Sequence, residues 1–150
     1  MINDVLISPL STYEDERGWL KEIYRADEHD FQAVMSYISF TKYQTVRGPH
    51  EHAHQTDFFV FIGPGDFELY LWDNRPDAPT YKEQMVITAG ESNPISVRVP
   101  PGVVHGYKSI SPTGSLSINL PDKLYKGENK HEEVDEIRHE QTPNSPFQIH

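Results

Sequence analysis

Cysteine is absent from the 150-residue chain, so neither a disulfide framework nor thiolate chemistry is available to it. That absence is neutral about compartment. Positive charge is scarce as well: 13 Lys and Arg stand against 23 Asp and Glu, a net charge of −10 with histidine neutral. No basic stripe is visible, which argues against a nucleic-acid partner. An acidic surface also argues against docking on an anionic membrane. No apolar run approaches the roughly 20 residues of a membrane span. The N-terminal MINDVLISPL lacks a basic n-region and a long apolar stretch, so no signal peptide is expected and the default is cytoplasmic. A small anionic ligand remains open, because a few local arginines can hold a phosphate on an acidic protein.

What the chain does have is punctuation. Twelve Pro and nine Gly break it at short intervals, and the runs between are rich in Val, Ile, Phe, Tyr and Thr. This is the pattern of an all-β sandwich or barrel. Strands are expected over 1–10, 19–24, 34–42, 57–62, 67–72, 81–88, 95–99, 103–109 and 115–120. Phe58, Phe59 and Phe61 sit in a continuous apolar run and should be core. Leu116, Ile118 and Leu120 should share a face. Residues 27–31 allow a helical turn, and 132–137 a short helix within a polar C-terminal element, 126–150, expected to be solvated. About ten short strands in 1–150 predict a single jelly-roll domain.

Two stretches carry chemistry. RGPHEHAHQTD, residues 47–57, places His50, His52 and His54 at a spacing of two. On a strand all three imidazoles would point to one side. Imidazole serves equally as metal ligand and as general base near neutral pH, so the stretch alone leaves metal binding, acid/base chemistry and a solvated turn open. About fifty residues on, PPGVVHGY at 100–107 forces a turn and then delivers His105 on the strand that follows.

Together the two stretches resemble the two motifs of the cupin superfamily. Gly48, His50, His52, Asp57 and Gly63 or Gly65 stand in the order of the first motif, and Pro100, Gly102 and His105 match the second. The resemblance implies a cupin double-stranded β-helix. A narrower one covers most of the chain: DERGWLKE (15–22), VRGPH (46–50), DNRPDAPTY (73–81) and VPPGVVHGY (99–107) resemble, in order, four segments of the dTDP-4-dehydrorhamnose 3,5-epimerase family.

That family resemblance implies a nucleotide-sugar epimerase of carbohydrate biosynthesis, homodimeric and without a cofactor. It implies that His50 is the base that takes a proton beside a 4-keto group, and that Arg47 binds the substrate diphosphate. Arg17 and Glu22 are expected to meet the nucleotide from a neighbouring subunit, and His105 to contact substrate, with His52 and Asp57 beside them. The chain departs from the family at telling positions. Asp57 stands where the family has a lysine, Asn119 where it has a tyrosine acid with Tyr125 as the nearby substitute, and Met35 and Tyr37 where it has Gln and Asn. Leu20 replaces a stacking Phe. The alternatives are a metal-dependent cupin holding a divalent ion with His50, His52, Asp57 and His105, and a sugar-binding cupin without catalysis.

Overall fold

The computed structural model describes residues 1–28 and 30–150. The helical turn expected over 27–31 spans residue 29 and so falls partly outside the described residues. The described residues form twelve strands: β1 (Leu6–Pro9), β2 (Tyr13–Asp15), β3 (Gly18–Leu20), β4 (Tyr37–Thr41), β5 (Val46–Glu51), β6 (Asp57–Phe61), β7 (Asp66–Asp73), β8 (Gln84–Gly90), β9 (Ile95–Val99), β10 (Val103–Ser109), β11 (Ser115–Asn119) and β12 (Ile137–Arg138). They make two five-stranded sheets, ordered β1-β9-β6-β11-β4 and β12-β5-β10-β7-β8, with β2 and β3 as a separate hairpin. Every described pairing is antiparallel. This is the jelly roll that the sequence predicts.

Strand alternation builds the core. Phe67, Leu69 and Leu71 of β7 face Val97 and Val99 of β9, Phe59 and Phe61 of β6, and Val103 and Tyr107 of β10. The run over β6 is continuous because both its faces are covered. Phe59 and Phe61 enter the main core, while Phe58 and Val60 pack on the other side with Phe31, Ile118 and Leu120. On β11 the period of two is as expected, but the fully buried face is Ser115, Ser117 and Asn119. Those polar groups are satisfied within the protein: Ser109 and Ser115 hydroxyls meet at 2.8 Å, and Ser117 donates to the Tyr107 hydroxyl.

Two elements differ from expectation. The second strand, expected over 19–24, is instead the hairpin β2–β3, because the turn at 16–17 pairs Tyr13 with Leu20 and leaves 21–24 outside any strand. The short helix at 132–137 does not form. A 3₁₀ turn (Glu128–Lys130) and β12 take its place, and β12 joins the edge of β5 with Ile137 opposite Glu51 and Arg138 opposite His50. A backbone that can pair with an open strand edge has its hydrogen bonds met there. The C-terminal element is therefore part of the fold, tied further by His139 Nε2 at 2.8 Å from the buried Glu51 carboxylate.

Candidate active site

The two sheets converge on one chamber of about 900 Å³, a size that suits a small-molecule ligand. Sheet register brings His50 on β5 directly opposite His105 on β10. Gly48 makes this approach possible: its φ is +80°, and a Cβ there would lie 2.7 Å from the His105 carbonyl. From the other sheet, Asp57 opens β6, and Asn119 on β11 lies opposite Tyr37 on β4. Past the end of β5 the chain bends, so His52 turns inward and His54 lies exposed. The three-imidazole face therefore reduces to His50 and His52, joined by His105 from the second motif. The His50 and His105 ring centroids are 4.5 Å apart.

Asp57 is the hub. It is 1% exposed, with its Oδ2 3.0 Å from His52 Nε2 and 3.1 Å from His105 Nε2. Asn119 and Gln55 donate to its Oδ1 at 2.8 and 2.9 Å. His52 Nε2 also meets the Gln55 amide nitrogen at 3.3 Å, whereas His105 Nε2 is left without a hydrogen-bond partner. Burial alone would raise the Asp57 pKa, but hydrogen bonding and charge from the two histidines hold it well below the usual carboxylate range. Burial opposes charge on His52, yet the Asp57 carboxylate and the Asp135 carbonyl at Nδ1 together lift it to about 9. His50 goes the other way: burial first, then the charges of His105 and His52, push it down to about 2, so it is neutral at physiological pH.

The acidic C-terminal segment forms a wall of this chamber. Asp135 accepts hydrogen bonds from the backbone N–H groups of Ala53, His54 and Gln55, fixing the bend that carries His52. Glu136 Oε1 stands 3.7 Å from His50 Nδ1 and is itself paired with Arg138. Asp135 and Glu136 were not candidates from the sequence. The only signal for them was an acidic run whose partners lie over eighty residues away.

Arg47 lines the chamber, its guanidinium braced by Thr41 Oγ1 and the Phe40 carbonyl. Tyr125 also lines it and is half exposed, whereas Asn119 is buried behind the wall. Arg17 and Glu22 do not reach the chamber within this chain. Arg17 pairs with Asp15 on the exposed hairpin, and Glu22 with Arg25. The DNRPDAPTY segment is a structural corner: buried Asp73 accepts hydrogen bonds from Arg75 and Thr80 at the end of β7.

A jelly roll that closes an imidazole- and carboxylate-lined chamber between its sheets is a cupin-type scaffold for small-molecule chemistry. This chain belongs to the dTDP-4-dehydrorhamnose 3,5-epimerase family, whose profile matches residues 1–137, and it is a sugar epimerase, an isomerase by reaction class. It is 38% identical over 135 residues to the probable low-salt glycan biosynthesis epimerase of Haloferax volcanii, a match covering 88% of this chain and 86% of that protein. In fold it is similar to a dTDP sugar isomerase from Desulfovibrio desulfuricans, with a TM-score of 0.83 at 24% identity over 98% of this chain and 91% of the other. It is also similar in fold to the dTDP-4-dehydrorhamnose 3,5-epimerase of Bacillus anthracis, crystallised with TDP and pyrophosphate bound. There the TM-score is 0.73 at 23% identity, over 81% and 74% of the two chains.

Proposed function

We propose that the protein epimerises a nucleotide-linked 4-keto-6-deoxy sugar, with His50 removing the proton from a carbon beside the ketone. The observation that carries this reading is a neutral imidazole at the chamber wall with a carboxylate, Glu136, 3.7 Å from its far nitrogen. The burial that keeps His50 neutral also makes it a weak base, and Glu136 is placed to stabilise the imidazolium as it forms. Developing negative charge on the ketone oxygen is met by the positive charge of His52, which Asp57 holds protonated. Asp57 thus does not oppose the enolate: it is buried behind His52 and works through it. Arg47 serves the diphosphate, for which a forked guanidinium suits.

In D2O the wild type should incorporate deuterium into dTDP-4-keto-6-deoxyglucose. His50→Asn should abolish incorporation, and Glu136→Gln should lower kcat about 100-fold with little change in KM. A wild-type enzyme that binds the nucleotide sugar but exchanges no hydrogen would sink the reading.

We also propose a homodimer and a cytoplasmic location. The exposed Trp19 and Leu20 on the β2–β3 hairpin, and Ile38 and Phe40 on edge strand β4, support the dimer. Light scattering at the mass of one chain would remove it. Among the described residues no helix is long and apolar enough to cross a membrane. Fusion to a reporter that matures only in the cytoplasm tests the location, and a dark fusion would overturn it.

The leading reading needs no cofactor. A second reading is favoured by one observation: His50, His52, Asp57 and His105 bring four donor atoms within 4.8 Å of one another, with His105 Nε2 unpartnered among them. Nδ1 of His105 faces the Val103 carbonyl and Nδ1 of His52 the Asp135 carbonyl, leaving both Nε2 atoms toward Asp57. Carbonyls at the far nitrogens are what metal-bound histidines commonly have. These residues would hold a divalent ion, which would supply Lewis-acid polarisation of a substrate oxygen. Elemental analysis of protein purified without added metal should then find a near-stoichiometric ion that is lost in His52→Ala. Metal-free protein with full exchange activity rejects it.

A further inference from the structure

We infer that Tyr37 is the acid that returns a proton to the face of the sugar opposite His50; the inference rests on the epimerase reading above. Inverting a carbon needs two groups: one to take the proton, another to supply one from the other side. Three phenols line the chamber: Tyr37, Tyr107 and Tyr125. Tyr107 is 5% exposed, its hydroxyl engaged with Ser117. Tyr125 rides on the C-terminal wall, half exposed, its backbone N–H tied to the Met35 sulfur and its ring under Lys126 Nζ, with no hydrogen bond to its hydroxyl among the described residues. Of the two whose hydroxyls accept a hydrogen bond, Tyr37 is the open one, 45% exposed against 5% for Tyr107.

The orientation follows from hydrogen-bond polarity. Asn119 is 2% exposed, and its carbonyl oxygen accepts from the Phe58 backbone N–H. Its NH2 group must then face Asp57 Oδ1, which as a carboxylate can only accept. The amide is therefore locked, and the same NH2 donates to the Tyr37 oxygen at 3.0 Å. A phenol has one proton and two lone pairs. With a lone pair taken by Asn119, and with no acceptor for its proton among the described residues, Tyr37 is left to donate into the chamber. The two groups also come from opposite sheets, Tyr37 from β4 and His50 from β5, so a sugar held between the sheets lies between them.

The step balances. His50 takes the proton from carbon, and the C–H electron pair moves into the enolate. Tyr37 then gives its O–H proton to that carbon, the enolate collapses to the ketone, and a phenolate remains, held by the Asn119 N–H. Solvent exchange returns a proton to Tyr37 and removes one from His50. Burial raises the phenol most, the Asn119 hydrogen bond opposes it, and the titratable groups Asp57 on β6, Tyr107 on β10 and Glu136 on the C-terminal wall add to the rise, so it stays protonated, at about 12.

The experiment follows two signals from dTDP-4-keto-6-deoxyglucose in D2O: deuterium entering with retained configuration, and inverted product. In Tyr37→Phe, inversion should fall by about 100-fold or more while His50-driven exchange with retention persists. Equal loss of both signals assigns Tyr37 a structural role and overturns the inference, as does unchanged inversion. Absence of exchange in the wild type overturns the epimerase reading and this inference with it. Should Tyr37→Phe not fold, 3-fluorotyrosine at position 37 preserves the hydroxyl. It should move the alkaline limb of the inversion profile to lower pH, and an unmoved limb rejects Tyr37.

Discussion

Asp57→Asn should cost about 3 kcal/mol of stability, because removing one partner of a buried ion pair leaves the other charge uncompensated. In a chain of this size that is a fall of roughly 6–12 °C in melting temperature. The reason is local and countable. The carboxylate holds four contacts at once, with His52, His105, Asn119 and Gln55, and lies 1% exposed. An amide has one acceptor oxygen and cannot serve two imidazoles on one side and two amide NH2 groups on the other. The same change should remove the charge from His52 at neutral pH and lower turnover. Calorimetry on the variant beside wild type decides the matter; melting points within a degree of each other would show that the hub carries little.

Stability of the metal-free protein should peak near pH 6.5, the ordinary value for histidine, because two histidines are displaced from it in opposite directions. His52 is raised to about 9 in the folded state. Its contribution is fully present below pH 6.5 and lost as pH rises through about 9. His50 is lowered to about 2. Between pH 2 and 6.5 the unfolded chain binds a proton that the folded protein refuses, so its contribution is complete above 6.5 and lost as pH falls. Each flank is limited to about 1.4 kcal/mol per pH unit, the value of one proton. Asp57, held below its usual 3.8, steepens the acid side further as pH falls past that value. Urea titrations from pH 4 to 9 test this. His52→Gln should flatten only the alkaline flank, and a wild-type curve level between 6.5 and 9 would contradict the pairing of His52 with Asp57.

Much of the architecture was legible in sequence because it rests on local rules. Period-two runs over β7 and β9, and the Pro-Gly breaks at 63–65 and 100–102, announce strands and turns without reference to anything distant. The first motif and the second could be paired because both carry histidine at a recognisable spacing. What stayed hidden depends on residues far apart in the chain. Glu136 meets His50 only because β12 adds to the edge of β5, and an isolated two-residue strand has no periodicity to read. Nor could the sequence say that Asp57 lies outside the chamber's lining. Beside histidines on a strand a carboxylate reads as a ligand or a repulsive charge, whereas the fold buries it behind His52. Residues Arg17 and Glu22 mark the remaining gap, since they lie away from the chamber in a single chain.

The wall built by residues 123–140 has a consequence for how the protein is made. Every strand among the described residues lies upstream of residue 120, apart from β12. A nascent chain on the ribosome can thus close its two sheets while Glu136 and Asp135 are still inside the exit tunnel. At that moment it is a shaped but open vessel, with His50 lacking its carboxylate and the bend at 53–55 lacking its clamp. The carboxylate and the clamp take their places only when this segment pairs with the edge of β5. Proteolytic clipping in that segment would take the Glu136 carboxylate away from His50 and the Asp135 clamp away from the bend at 53–55.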